Sequence, residues 1–154
     1  DIDMNAHILE AAEMIESTNS VMINVRRGDY LDKLDYHGVI TVEYLTRSLN
    51  WMIENLDEPR FFCFSDDMIW CKENLPRGID YYYMKESFYG YKFGTYFSLM
   101  KMCRSFVLSN STFCWWAAWL SPFREKKVIV PKYWFAKGQE LSPIDLIPRE
   151  WKTF

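Results

Sequence analysis

Apolar and polar positions along this chain recur with two different periods. Near the N-terminus Ile8, Ala11, Ala12 and Ile15 repeat at helical spacing, with Glu10, Glu13 and Glu16 on the other side, and this predicts an amphipathic helix. "SVMINV" then reads as a short buried strand running into Arg26. After a polar loop, Leu45, Leu49, Met52, Ile53 and Leu56 mark a second helix, opened by Thr41 and closed before Pro59. "RFFCFS" is a second strand ending at Ser65, a short helix runs through Leu75, and "IDYYYM" is a third strand. Lys85 to Gly94 reads as a long mobile connection with glycine hinges. A helix from about Tyr96 to Cys103 leads into "SFVLS", a fourth strand. "STFCWWAAWL" turns directly into another helix, and "KKVIVP" is the fifth and last strand expected. The tail carries Pro143 and Pro148 before Trp151, without internal repeats or low-complexity segments.

Strands alternating with helices predict an α/β fold, a doubly wound, mainly parallel, Rossmann-like sheet covered on both faces. In such sheets ligands bind outside the carboxyl ends of the strands. Arg26, Asp66 and the run Ser109 to Thr112 all fall at or just beyond such an end, so three separate loops should converge on one edge.

The chain has 154 residues, which fits a single domain spanning 1–154. Hydrophobic residues make up 49% and aromatics 18%, a globular composition. The net charge is only −3, from 18 basic and 21 acidic residues, which argues against a general nucleic-acid binder. Any anion must be caught by a few local arginines. No apolar run reaches transmembrane length and no signal-peptide pattern opens the chain. Cys63, Cys71, Cys103 and Cys114 lie inside apolar segments without metal-ligand spacing, so buried reduced thiols in a cytoplasmic protein are expected. Because the chain enters an amphipathic segment directly from Asp1, an excised domain is also expected.

The chemistry lies in the loops. Arg26 and Arg27 suit a diphosphate, because guanidinium is always charged and can grip two oxygens at once. Successive side chains at a strand end point to opposite sides, so one arginine should face a ligand and the other a neighbour. Asp29 is placed to orient an arginine. An ordinary surface ion-pair cluster explains the same residues about equally well. In "FSDD", Asp66 or Asp67 either caps the next helix or accepts from a guanine edge or ribose hydroxyls. "SNST", residues 109–112, offers hydroxyls, backbone N–H groups and a helix N-terminus to phosphate, although simple capping also accounts for it. It is not a Walker loop, since that motif's glycines and lysine are absent. Trp115, Trp116 and Trp119 read as core, His7 as structural and His37 as part of a turn. With two histidines and no nucleophile–base pairing, Ser/His or Cys/His hydrolysis has little support. Arg27-Gly28-Asp29 also spells an adhesion tripeptide, but adhesion needs an exposed flexible tip, and these residues follow a buried strand.

In series, "NVRRGD", "RFFCFSDDMIWCKENL", "SNSTFCWWAAWL", "VIVPKYWF" and "IPREW" resemble, in order and over nearly the whole chain, the α-1,2-fucosyltransferases of glycosyltransferase family 11, particularly bacterial members. The resemblance implies one half of a GT-B enzyme, its C-terminal donor-binding half, with the N-terminal acceptor-binding half absent. It implies GDP-fucose as donor, a galactose-terminated glycan as acceptor, inverting transfer to the 2-hydroxyl, and no cofactor or metal. Within it, Arg26 is the catalytic residue, holding the diphosphate and stabilising charge on departing GDP. Arg27 and Asp29 brace it; Asp66 or Asp67 reads guanine or ribose. Asn24 and Asn110 belong to the same donor site, and Ser111, Thr112 and Phe113 hold phosphate from the other side. A cytoplasmic location, peripheral to the membrane where glycans are assembled, is implied as well. The chain departs from the family pattern at Asn24 and Ser105, where histidines are expected, at Tyr96, in place of an acidic residue, and at Cys114 and Ala117, in place of serine and glycine. Asparagine binds a nucleotide but cannot act as acid or base. The alternative is a degenerate module that holds a nucleotide sugar without transferring it.

Overall fold

The computed structural model of the chain describes residues 2–28, 40–134 and 146–154. Five helices alternate with strands: α1 (Ile2–Ser17), β1 (Asn19–Val25), α2 (Val42–Asn55), β2 (Pro59–Ser65), α3 (Met68–Asn74), β3 (Tyr81–Tyr83), α4 (Gly94–Met102), β4 (Ser105–Val107), α5 (Thr112–Leu120), β5 (Val128–Val130) and β6 (Lys152–Thr153). The strands form one parallel sheet in the order β3-β2-β1-β4-β5-β6.

Two cores, one on each face of the sheet, follow from the two-residue alternation of the strands. Met22, Phe62, Phe64, Phe106, Val128 and Val130 point to one face, where Ala11 and Ile15 of α1, Leu99 and Met100 of α4, and Cys114, Ala117 and Ala118 of α5 cover them. Val21, Ile23, Val25, Phe61, Cys63, Val107 and Ile129 point to the other, against Leu45, Leu49 and Met52 of α2 and Cys71 of α3. Strands buried on both sides must be apolar throughout, hence continuous runs such as "SVMINV". The sheet is therefore doubly wound and Rossmann-like, as its sequence pattern predicts. All four cysteines are buried free thiols.

Local capping chemistry fixes the helix starts. Thr41 Oγ1 accepts from the Tyr44 amide at 3.1 Å and opens α2. At α3 the cap is Asp67, whose carboxylate accepts from the Trp70 amide at 3.0 Å, while Asp66 turns elsewhere. Three sequence expectations need correction. A sixth strand exists, paired with β5 through Ile129 and Val130. Lys85 to Gly94 is not one irregular connection but contains two 3-10 turns, Glu86–Phe88 and Tyr91–Phe93, with Phe88 buried beneath them. Trp116 and Trp119 are about half exposed, leaving Trp115 as the ring of the three that packs on the core. Among the described residues no helix is long and apolar enough to cross a membrane.

Candidate functional site

The sheet order reverses between β1 and β4, because β2 and β3 build outward on one side and β4 to β6 on the other. At such a switch point the loops leaving neighbouring strands diverge and open a crevice at the carboxyl edge. A cleft of about 490 Å³ lies there. Asn24 and Arg26 reach it from the end of β1, Ser65 and Asp66 from the end of β2, Tyr89 and Phe93 from the β3–α4 connection, Tyr96 from the first turn of α4, and Ser111, Thr112 and Phe113 from the start of α5. Roomier surface hollows near Arg104 and near Arg60 open at the opposite, amino edge, and none of these loops reaches them.

The two arginines part company as strand geometry requires. Arg27, only 16% exposed at its side chain, lays its guanidinium 4.1 Å above the Trp70 ring and its Nε 3.8 Å from Asp67. It ties the β1 end to α3 and does not line the cleft. Arg26, 40% exposed, lines the cleft, and its Nε stands 3.2 Å from Asp66 Oδ2. Asp66 does more than pair with it. Its carboxylate also accepts from the backbone amides of Arg27 at 2.9 Å and Gly28 at 3.1 Å. The turn after β1 therefore wraps around one carboxylate, and a Cβ on Gly28 would sit 3.0 Å from Asp66 Oδ2. Asp66 therefore braces Arg26 from the end of β2, a task the sequence reading had given to Arg27 and Asp29, and Arg27 itself is turned toward Trp70 and Asp67. Asp29 and His37 lie outside the described residues.

Asn24 sits one alternation before Arg26 on the same face, buried at the cleft floor. Its Nδ2 donates to the Phe64 carbonyl at 3.3 Å, and the Ser109 hydroxyl donates to its Oδ1. The amide is thereby fixed in one orientation, and Asn24 can offer a donor but no proton-transfer chemistry. Behind Ser109 lies Cys114, whose thiol donates to the Ser111 carbonyl at 3.1 Å. Burial pushes that thiol up to about 11, so it stays protonated and serves as packing rather than as a nucleophile.

Ser111 precedes α5 with extended backbone and makes no side-chain cap, which leaves the first amides of that helix directed at the cleft with their partial positive charge. Asn110 is buried and donates to the Trp134 carbonyl at 2.9 Å, holding the segment after β5 rather than lining the cleft. Ser105, whose hydroxyl accepts from the Lys127 amide at 3.3 Å, lies at the amino edge, so that departure from the family pattern does not touch this site. His7 faces Glu10 on the exposed side of α1.

Sequence reasoning missed Ser65, Tyr89, Phe93 and Tyr96 as cleft residues. The Tyr96 hydroxyl accepts from the Ser65 amide at 3.0 Å, and burial holds that phenol well above its ordinary range. Ser65 Oγ in turn donates to the Val25 carbonyl at 2.8 Å, locking the ends of β1 and β2 together. The aromatic density of "SFYGYKFGTYF" was the available signal. Among the described residues no cluster of three or more His, Cys, Asp or Glu side chains is placed to hold a metal ion.

The chain matches the model of glycosyl transferase family 11 over residues 6–152. It is 33% identical to an alpha-1,2-colitosyltransferase of Escherichia coli, over 97% of this chain and 52% of that protein. It is 32% identical to the O-antigen biosynthesis glycosyltransferase WbnK of Escherichia coli, over 79% of this chain and 41% of the relative. A galactoside alpha-(1,2)-fucosyltransferase 1 of Rattus norvegicus is 28% identical over 86% of this chain and 41% of its own length. The chain thus spans about half the length of the curated relatives it matches. No solved structure matches it significantly. With a family match running almost end to end over a Rossmann-like sheet, this chain belongs to glycosyl transferase family 11.

Proposed function

We propose that the chain is the donor-binding half of a GT-B-type, inverting α-1,2-fucosyltransferase, and that the cleft takes the diphosphate of GDP-fucose. The observation that carries this reading is the meeting of Arg26 with the open N-terminus of α5 across one cleft at the sheet's switch point. Both carry positive charge and both reach the same cleft from adjacent strands, which suits a diphosphate. Arg26 neutralises charge that grows on the leaving GDP, a preorganised stabilisation that needs no metal ion. Asp66 orients Arg26, and its lone pairs facing the cleft are left for ribose or guanine donors. Asn24 contributes an N–H, Thr112 a hydroxyl and the α5 amides the remaining donors. The acceptor is a galactose-terminated glycan whose 2-hydroxyl attacks the sugar, and it is held mainly by the other half of the enzyme. Calorimetry with GDP and with ADP tests the reading: GDP binds and ADP binds much more weakly. Equal affinities for the two nucleotides, or none for either, would remove it.

A second reading, a module that binds the nucleotide sugar without transferring it, draws on Asn24, which is buried and hydrogen-bonded at both ends of its amide. Transfer of radiolabelled fucose to a galactoside by the whole protein would dispose of that alternative.

A further inference from the structure

One wall of the cleft is aromatic and is built at a cost in backbone strain. Lys92 (φ 48°, ψ 38°) and Phe93 (φ 60°, ψ 17°) are consecutive non-glycine residues in left-handed conformation, a region that side chains with a Cβ seldom enter. The turn begins at Gly90 (φ 66°), where a Cβ would run into the Thr95 side chain, so only glycine fits. This strain does not bury Phe93, which remains 49% exposed. It places the ring between Tyr89, with centroids 4.8 Å apart, and Phe113, 6.3 Å away, inside the cleft. Tyr89 lines the same cleft as Arg26 and Asp66, so the wall adjoins the diphosphate position. Strain that holds an apolar ring half in water, beside a charged site, motivates reading that ring as a ligand contact.

The geometry of the rings narrows the ligand. Phe93 meets Tyr89 at 43° and Phe113 at 75°, and Tyr89 meets Tyr96 at 82°. Rings tilted to one another in this way share no common plane for a purine to lie across, and a small apolar group suits their meeting point better. In a nucleotide sugar with a 6-deoxyhexose, the small apolar group next to the diphosphate is the methyl on C5 of the sugar. We infer that Phe93, with Tyr89 and Phe113, is the specificity wall that selects a 6-deoxy sugar by enclosing that methyl group, an inference that rests on the GDP-sugar reading above. A 6-hydroxy sugar would bring a hydroxyl against rings that offer it no partner, and would be rejected for that reason.

The test is calorimetry on this chain with GDP, GDP-L-fucose and GDP-L-galactose, the last two differing by one hydroxyl on C6. The expected result is that GDP-L-fucose binds roughly tenfold tighter than GDP-L-galactose. Phe93→Ala should erase most of that ratio by weakening GDP-L-fucose more than GDP, while Phe93→Leu, which keeps an apolar side chain, should retain part of it. Circular dichroism melts establish that both variants are folded. Equal affinity of the wild-type chain for the two sugar nucleotides overturns the inference but not the diphosphate site. So does a Phe93→Ala variant that loses GDP as much as GDP-L-fucose, since guanine would then occupy the wall. Absence of GDP binding by the wild-type chain overturns both.

Discussion

Asp66 and Arg26, each one residue beyond the end of neighbouring strands, stand 3.2 Å apart at the mouth of the cleft, and the same carboxylate holds the amides of Arg27 and Gly28. One side chain thus sets both the direction of the cleft arginine and the path of the chain behind it. Asp66→Ala should cost about 2 kcal/mol of stability, the usual loss for hydrogen bonds to a charged group. GDP affinity should fall as well, because Arg26 loses its orientation. Urea unfolding and calorimetry on the same variant read the two effects separately. A fall in stability with unchanged GDP affinity would show that Arg26 needs no brace.

Phe62 is wholly buried in the core between β2 and the helices α1 and α4. Phe62→Ala should cost about 3–5 kcal/mol, the range for an aromatic core truncation. A loss below about 1 kcal/mol would mean that this face of the sheet is not packed as described.

Tyr44 of α2 sends its hydroxyl across the sheet's other face, donating to the Leu108 carbonyl at 2.7 Å with the Ile129 carbonyl 3.2 Å away. These carbonyls close β4 and β5 just below the site. Tyr44→Phe takes the hydroxyl donor from the Leu108 carbonyl, while the Ile129 carbonyl keeps the Leu108 amide, and should cost about 1–2 kcal/mol by urea titration. GDP affinity should hold if the role is purely structural, and a selective loss of GDP binding would instead make Tyr44 a positioning residue.

Alkaline pH should destabilise the fold in a defined window. Burial raises the Cys114 thiol from 9.0 to about 11 and raises Cys103 and Tyr96 still further. Between these values the unfolded chain releases protons that the folded chain keeps, so stability falls as pH rises. For Cys114 the contribution is complete below pH 9.0 and is lost as pH climbs toward about 11. Melting temperatures taken from pH 8 to pH 11 should decline, and Cys114→Ala should decline less steeply. A flat profile would mean these groups are hydrated.

Much of this was legible in the chain itself, and the failures have physical causes. "SVMINV" and "RFFCFS" announce buried parallel strands because both of their faces need apolar side chains, and the placement of Arg26, Asp66 and Ser111 at one edge follows from strand order alone. Lys152 and Thr153 carry no such pattern. They form a strand because the β5 edge supplies partners, and beyond it the Phe154 amide donates to the Val130 carbonyl while the Lys132 amide donates to the Phe154 carbonyl. The division of labour between Arg26 and Arg27 was predictable in kind, but not the identity of their partners, since Asp66 and Asp67 are equally adjacent in sequence and only the start of α3 separates their tasks. The turns between Glu86 and Phe93 escaped because contacts distant in sequence hold them: Tyr89 packs on Tyr96, and Phe93 on Phe113. Local propensity at Lys92 and Phe93 argues against the conformation those contacts impose.

The most direct test of the account is the GDP affinity of Arg26→Ala set beside that of Lys127→Ala, a cation at the opposite edge of the sheet. Loss of a charge-assisted contact to phosphate should weaken Arg26→Ala by at least roughly tenfold, with Lys127→Ala unchanged. Matching affinities for the two variants would contradict the claim that the guanidinium of Arg26 receives the donor's diphosphate.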